Sequence, residues 1–211
     1  EKNMILSADA EEKLLKPIDE YVGKIQAQID ELRVDGSDKV RSLKNHIAIA
    51  KEDKNLSKEE KDSIIAKDKA ALEKAKAVEA ANKDKVAKLI ADAEGYLKEH
   101  YDSEYYSKVV ASCETEKAAE NESYERVKAT LKTEHEQTLA KLSDPEEIKD
   151  EKYVYKNKLF DAQMTHESRL QEIKDRKHDA FSHKYHLIDL LRMSKYTFMQ
   201  SRAQKFENYK Y

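Results

Sequence analysis

Three glycines and two prolines are spread through 211 residues, and that scarcity limits the fold more than any other feature of the sequence. A β-sandwich or α/β domain of this length turns often and needs many more of both residue types. Long helices with few reversals do not. Acidic and basic residues nearly cancel, 43 against 40, at a formal net charge of −3, and mean hydropathy is −0.94. So charged a chain stays disordered if its apolar residues are scattered, but here they recur at helical spacing. The prediction is an all-α fold, an elongated antiparallel helical coiled coil or slender three- to four-helix bundle, with a parallel dimer as the rival arrangement.

The clearest helix start is Ser143-Asp144-Pro145-Glu146-Glu147. Asp144 is placed to accept from the free N–H groups of the first turn, Pro145 presets φ at the first helical position, and Glu147 is spaced for a capping box. No Pro or Gly follows, so one helix is predicted to about Phe206, on the order of 100 Å long if unbroken. Along it Leu159, Ala162, His166, Leu170, Ile173, Lys177, Ala180, Lys184, Leu187, Leu191 and Phe198 recur at mostly three- and four-residue steps. That is a coiled-coil seam. Lys177 and Lys184 within it predict local shifts of register.

Read in order, the chain divides into N-terminal helices over residues 1–56, a long central helical segment over 57–142 with a break near 95–103, and the aromatic-rich C-terminal helix over 143–211. All three are read as one elongated domain. Ile18, Val22, Ile25, Ile29 and Leu32 form the most regular heptad run. Eight residues then separate Leu32 from Val40, which predicts a break or kink near Gly36 with that glycine in the left-handed conformation. Gly23 suits a close helix approach. Ser57 and Glu60 are spaced as a capping box and Leu56 as a hydrophobic staple, so the chain is predicted to reverse there. Beyond lies an alanine-rich stripe in which Glu79 and Asn82 take seam positions. Acid-before-base pairs four apart, such as Glu104/Lys108 and Glu122/Arg126, support helix throughout. No repeat of fixed period is apparent.

For function, the balanced charge gives no basic footprint for nucleic acid. Cys113 is the single cysteine, which leaves no internal disulfide, and it reads as a small buried hydrophobe rather than a nucleophile. No run approaches a membrane span, no signal-sequence pattern opens the chain, and a start at Glu1 reads as a processed or excised form. Phosphate-binding loops, HExxH and GxSxG are missing, so neither catalytic residues nor cofactors are expected. Asp179, His183 and His186 share a helical face and are weak metal candidates, against their plainer reading as surface or seam residues. Ten of the sixteen Phe and Tyr residues lie between Tyr153 and Tyr211. Leu187, Leu191, Arg192, Tyr196, Phe198, Arg202 and Phe206, in a basic segment, are therefore the expected partner-binding residues.

The leading expectation is a non-enzymatic interaction or spacer domain that binds a protein partner through its C-terminal helix, with a homodimer as one form of partner. The alternative is a coiled-coil insertion or stalk of a membrane protein such as a transporter, touching its own membrane-embedded portion near the bilayer. A helical metal-binding protein is a distant third. The compartment is expected to be cytoplasmic or membrane-associated.

Overall fold

The structure, a computed structural model, describes residues 4–203. Among them every regular element is helical and no strand occurs. In order these are α1 (Ala8–Arg33), a widened π-helical stretch (Val34–Asp38), α2 (Lys39–Glu52), α3 (Lys58–Tyr96), a second widened stretch (Leu97–Tyr106), α4 (Ser107–Leu139) and α5 (Pro145–Ala203). The chain turns between α2 and α3 and between α4 and α5. At the first turn the capping box is formed: the Glu60 N–H donates to the Ser57 hydroxyl at 3.1 Å, and the Ser57 N–H donates to the Glu60 carboxylate at 3.0 Å. At the second, Asp144 Oδ1 accepts from the Glu146 N–H at 3.2 Å ahead of Pro145.

The molecule divides into two compact units. The first holds the described residues up to Lys13 together with Ser103–His183; the second holds Leu14–Asp102 and the described residues from Lys184 onward. In the first unit α4 and α5 run antiparallel, with Glu120 opposite His166 and His135 opposite Glu151. Near the start of α4 the N-terminal segment joins them, and the Leu6 N–H donates to the Ser112 hydroxyl at 2.8 Å. In the second unit the core is built from Ile18, Val22, Ile25 and Ile29 of α1, Val86, Ala93, Leu97 and Tyr101 of the following long helix, and Leu187, Leu191 and Phe198 of α5. Toward its own turn the α2–α3 pair closes over Val40, Ile47, Leu72 and Ala75, flanked by Leu43 and Ile65. Every residue of the seam predicted along α5 is buried or half-buried.

Neither predicted break is found. At both places the helix widens and continues, because the apolar spacing changes without stopping. Ala93, Leu97, Tyr101, Tyr105, Val109 and Cys113 are all buried and follow one another at steps of four. In an α-helix each such step overshoots a turn by about 40°, so a run of them walks off the contact face. A π-helical turn takes in more residues and removes the overshoot. The widened stretch thus keeps Leu97 and Tyr101 in line with Ala93 in the second unit, and Tyr105 in line with Val109 and Cys113 in the first.

Gly36 likewise keeps a negative φ; its role is room. A Cβ there would lie 3.1 Å from the Glu79 Cα and 3.0 Å from Asn82 Nδ2, whose amide donates to the Leu32 carbonyl at 2.9 Å. Asn82 therefore sits buried in the seam with a partner on the facing backbone. Gly23 does not permit a close approach as predicted, since a Cβ at Gly23 or at Gly95 meets nothing within 4 Å.

The three glycines should respond oppositely to alanine. Gly23→Ala and Gly95→Ala each gain about 1 kcal/mol from helix propensity and a less flexible unfolded chain, and their thermal midpoints by circular dichroism should rise. Gly36→Ala should lower the midpoint by pushing α3 away. A rise in all three would refute the close-approach role of Gly36.

Candidate functional site

The most specific side-chain geometry lies in the α4–α5 seam of the first unit. On α4, Glu120 and Tyr124 stand one helical turn apart and hold His166 of α5. The His166 Nδ1 lies 3.1 Å from Glu120 Oε1, and its ring stacks on Tyr124 with centroids 4.0 Å apart and planes 6° from parallel. On α5, Glu151 and Tyr155 hold His135 of α4 in the same way, at 3.1 Å, 4.0 Å and 7°. The helices have exchanged roles. An offset of 31 residues carries Glu120 to Glu151, Tyr124 to Tyr155 and His135 to His166, so a local two-fold relates the two clasps. All four His and Glu side chains are largely shielded, from 12% to 20% exposed.

This arrangement was missed on reading the sequence, although its signal is present there. Glu-x₃-Tyr-x₁₀-His occurs at Glu120-Tyr124-His135 and again at Glu151-Tyr155-His166. Apolar periodicity passes over it because the residues that repeat are polar or aromatic. The second unit carries a related contact, with His46 Nδ1 on α2 hydrogen-bonded to Asp68 Oδ2 on α3. Imidazole–carboxylate pairs thus bridge both helical hairpins.

A third polar node ties the N-terminal segment to both helices of the first unit. Arg176 lies 3.2 Å from Glu11 and 2.7 Å from Glu116, and its Nη2 donates to the Cys113 Sγ at 3.7 Å. Burial pushes the Glu11 carboxyl above its usual range; the Arg176 charge opposes that rise and Glu116 adds to it. Burial also pushes the Cys113 thiol up, against the charge and hydrogen bond of Arg176. A nucleophilic cysteine needs the reverse, a lowered pKa and access to solvent. At 1% exposure Cys113 has neither. Chemically, the imidazoles, carboxylates and guanidinium of these seams bind one another.

Of the expected partner-binding residues, Leu187, Leu191 and Phe198 are 2%, 2% and 1% exposed. Each is packed into the second unit and presents nothing to a partner. Arg192 and Tyr196 are exposed. Arg202 lies in α5 but its side chain, and all of Phe206, fall outside the described residues. The exposed side of this part of α5 also carries Met193, which helical phase sets away from Leu187, and Met199, which was not singled out. Among the described residues no group of three or more His, Cys, Asp or Glu is placed to hold a metal ion, and Asp179, His183 and His186 form no such group. No described helix is long and apolar enough to cross a membrane.

The family described as ABC transporter permease MglC, N-terminal domain, matches residues 8–211, and the chain belongs to it. No curated protein and no solved structure matches the chain. Membership favours the transporter alternative over a free-standing interaction domain as the better reading, and sets the chain among transporter permeases rather than enzymes.

Two outcomes follow. His135→Ala takes the imidazole from half-buried Glu151 and should cost about 1–3 kcal/mol in urea unfolding, whereas His166→Ala leaves Glu120 its ion pair with Arg169 at 3.6 Å and should cost less. With the clasps fifteen residues apart on each helix, about 22 Å, the double variant should be additive. Strong coupling would mean that the clasps are not independent. Cys113 should resist iodoacetamide in the native protein at pH 8 and react on unfolding; rapid native alkylation would refute its burial.

Proposed function

From membership of this permease family, we propose that the domain is a non-catalytic helical docking module, which rests against the transporter's own membrane-embedded portion or its subunits through the exposed side of α5 in the second unit. The observation that carries the reading is the two-sided character of this segment. Leu187, Leu191 and Phe198 fill one side, while Met193 at 63% and Tyr196 at 64% exposure stand on the other, with Met199 and the cationic Arg192 beside them. A helix that serves only its own bundle is polar on its outer face. Methionine and tyrosine there, beside arginine, have the composition of contact surfaces, adaptable at the thioether and amphipathic at the phenol. Seams whose polar groups are committed to one another suit a spacer that must hold its helices in fixed register.

The test is a photo-crosslinking residue in place of Tyr196 in the assembled transporter, paired with Met193→Asp/Tyr196→Asp. Both positions are solvent-facing, so helicity should not change. Crosslinks should fall on the transporter's own polypeptides, and the double aspartate should weaken assembly by about tenfold or more. Assembly unaffected by the aspartates, with no crosslink, would overturn the proposal.

A further inference from the structure

The local two-fold of the first unit supplies an internal comparison. Because it carries the α4 seam onto the α5 seam, the outward faces of the two helices occupy equivalent surroundings in the hairpin. Differences between those faces are not required by the hairpin's own packing. On α4 the outward positions hold the ion pair Glu122–Arg126 at 3.3 Å, then Ala129 and Thr133, whose hydroxyl donates to the Ala129 carbonyl. That is a face made for water. The 31-residue offset places Tyr153, Asn157, Phe160 and Met164 at the same positions on α5. Tyr153 is 66% exposed, Phe160 60% and Met164 50%.

We infer that this face of α5 is a self-association surface, taken up by the same face of a second copy of the chain packed in parallel. The spacing is that of a short heptad seam, with Tyr153 and Phe160 at d and Asn157 and Met164 at a. Its edges carry opposite charge: Lys149 and Lys156 line one side at g, and Asp161 stands on the other at e. A two-fold axis along the helices brings the basic edge of each copy to the acidic edge of its mate. Lys156 and Asp161 stand five residues apart, the separation at which g and e′ positions meet across a parallel pair. Antiparallel packing would set like edges together. Asn157 at a core position also suits a parallel two-stranded pairing, the arrangement in which such an asparagine meets its counterpart. An anionic bilayer fits less well, since the acidic edge would be repelled. This surface lies in the first unit and does not depend on the docking face of the second.

The experiment uses the 211-residue chain with Cys113→Ser as background, and compares Asn157→Cys, Met164→Cys and the flanking Lys158→Cys under mild oxidation. Disulfide-linked dimers should form at 157 and at 164 but not at 158. Lys156→Glu or Asp161→Lys alone should cut the yield several-fold, and the two together should restore it. Crosslinking at 157 without 164 would indicate antiparallel pairing and overturn the proposal, as would yields indifferent to charge reversal. A strictly monomeric chain by sedimentation at 100 μM, as a chosen concentration, or a Phe160→Glu variant that loses only binding to phosphatidylserine vesicles, would overturn it as well.

Discussion

Two helices that bury little apolar surface stay together only if the polar groups between them are satisfied across the seam. In the first unit that condition governs almost everything else. The α4–α5 contact contains histidine, glutamate, tyrosine and lysine where a well-filled coiled coil would hold leucine. Each half-buried carboxylate or imidazole would cost a desolvation penalty if left alone. Set against a partner on the facing helix, with an aromatic ring stacked beneath, it costs little and contributes direction. Buried polar pairs of this kind add less to stability than apolar residues of the same volume, but they discriminate between arrangements. A slide of α5 along α4 by one heptad would place His135 against Lys158 or Asp144, and His166 against Val127 or Cys113. Only the observed register gives both histidines a glutamate and a tyrosine.

The same concern for register explains the widened turns. A chain with few glycines and prolines has few places to reset a drifting stripe by starting a new helix. It resets by taking extra residues into a turn, at Val34–Asp38 and at Leu97–Tyr106. The first widening also packs against α3. Gly36 removes a side chain from the contact, and Asn82 fills the space with an amide that reaches the Leu32 carbonyl. Spacing, small residue and polar side chain form one local solution, and none of the three makes sense without the other two.

This explains which parts of the fold were legible in the sequence. The α5 seam, the α1 heptads and the Ser57 capping box depend on local spacing and were readable from it. No break interrupts the helix at Gly36 or near 95–103, because a slip in apolar spacing such as that between Leu32 and Val40 has two physical remedies, stopping the helix or widening it. Spacing alone does not choose between them; the facing helix does. The clasps were missed for a related reason, since a hydrophobic pattern is blind to a repeat written in Glu, Tyr and His. Partner residues on α5 were half legible. Large side chains mark a helix that contacts something, and helical phase sets Tyr196 about 180° from Leu187, but only burial shows that Leu187, Leu191 and Phe198 answer to the chain's own core.

Seen through its seams, the protein assigns its titratable groups to itself. His135, His166 and His46 each face a carboxylate on another helix, Arg176 stands between Glu11 and Glu116, and Cys113 is closed off beneath that arginine. An active site requires groups held in place yet left unsatisfied until substrate arrives, because catalysis draws on interactions completed only in the transition state. Groups already bound to one another across a seam have no such reserve. What stays available is outward-facing, chiefly the large side chains of α5 that its own hairpin and bundle do not cover. Seams closed in this way hold the helices in register and leave those outward faces as the part of the described domain that other surfaces can meet.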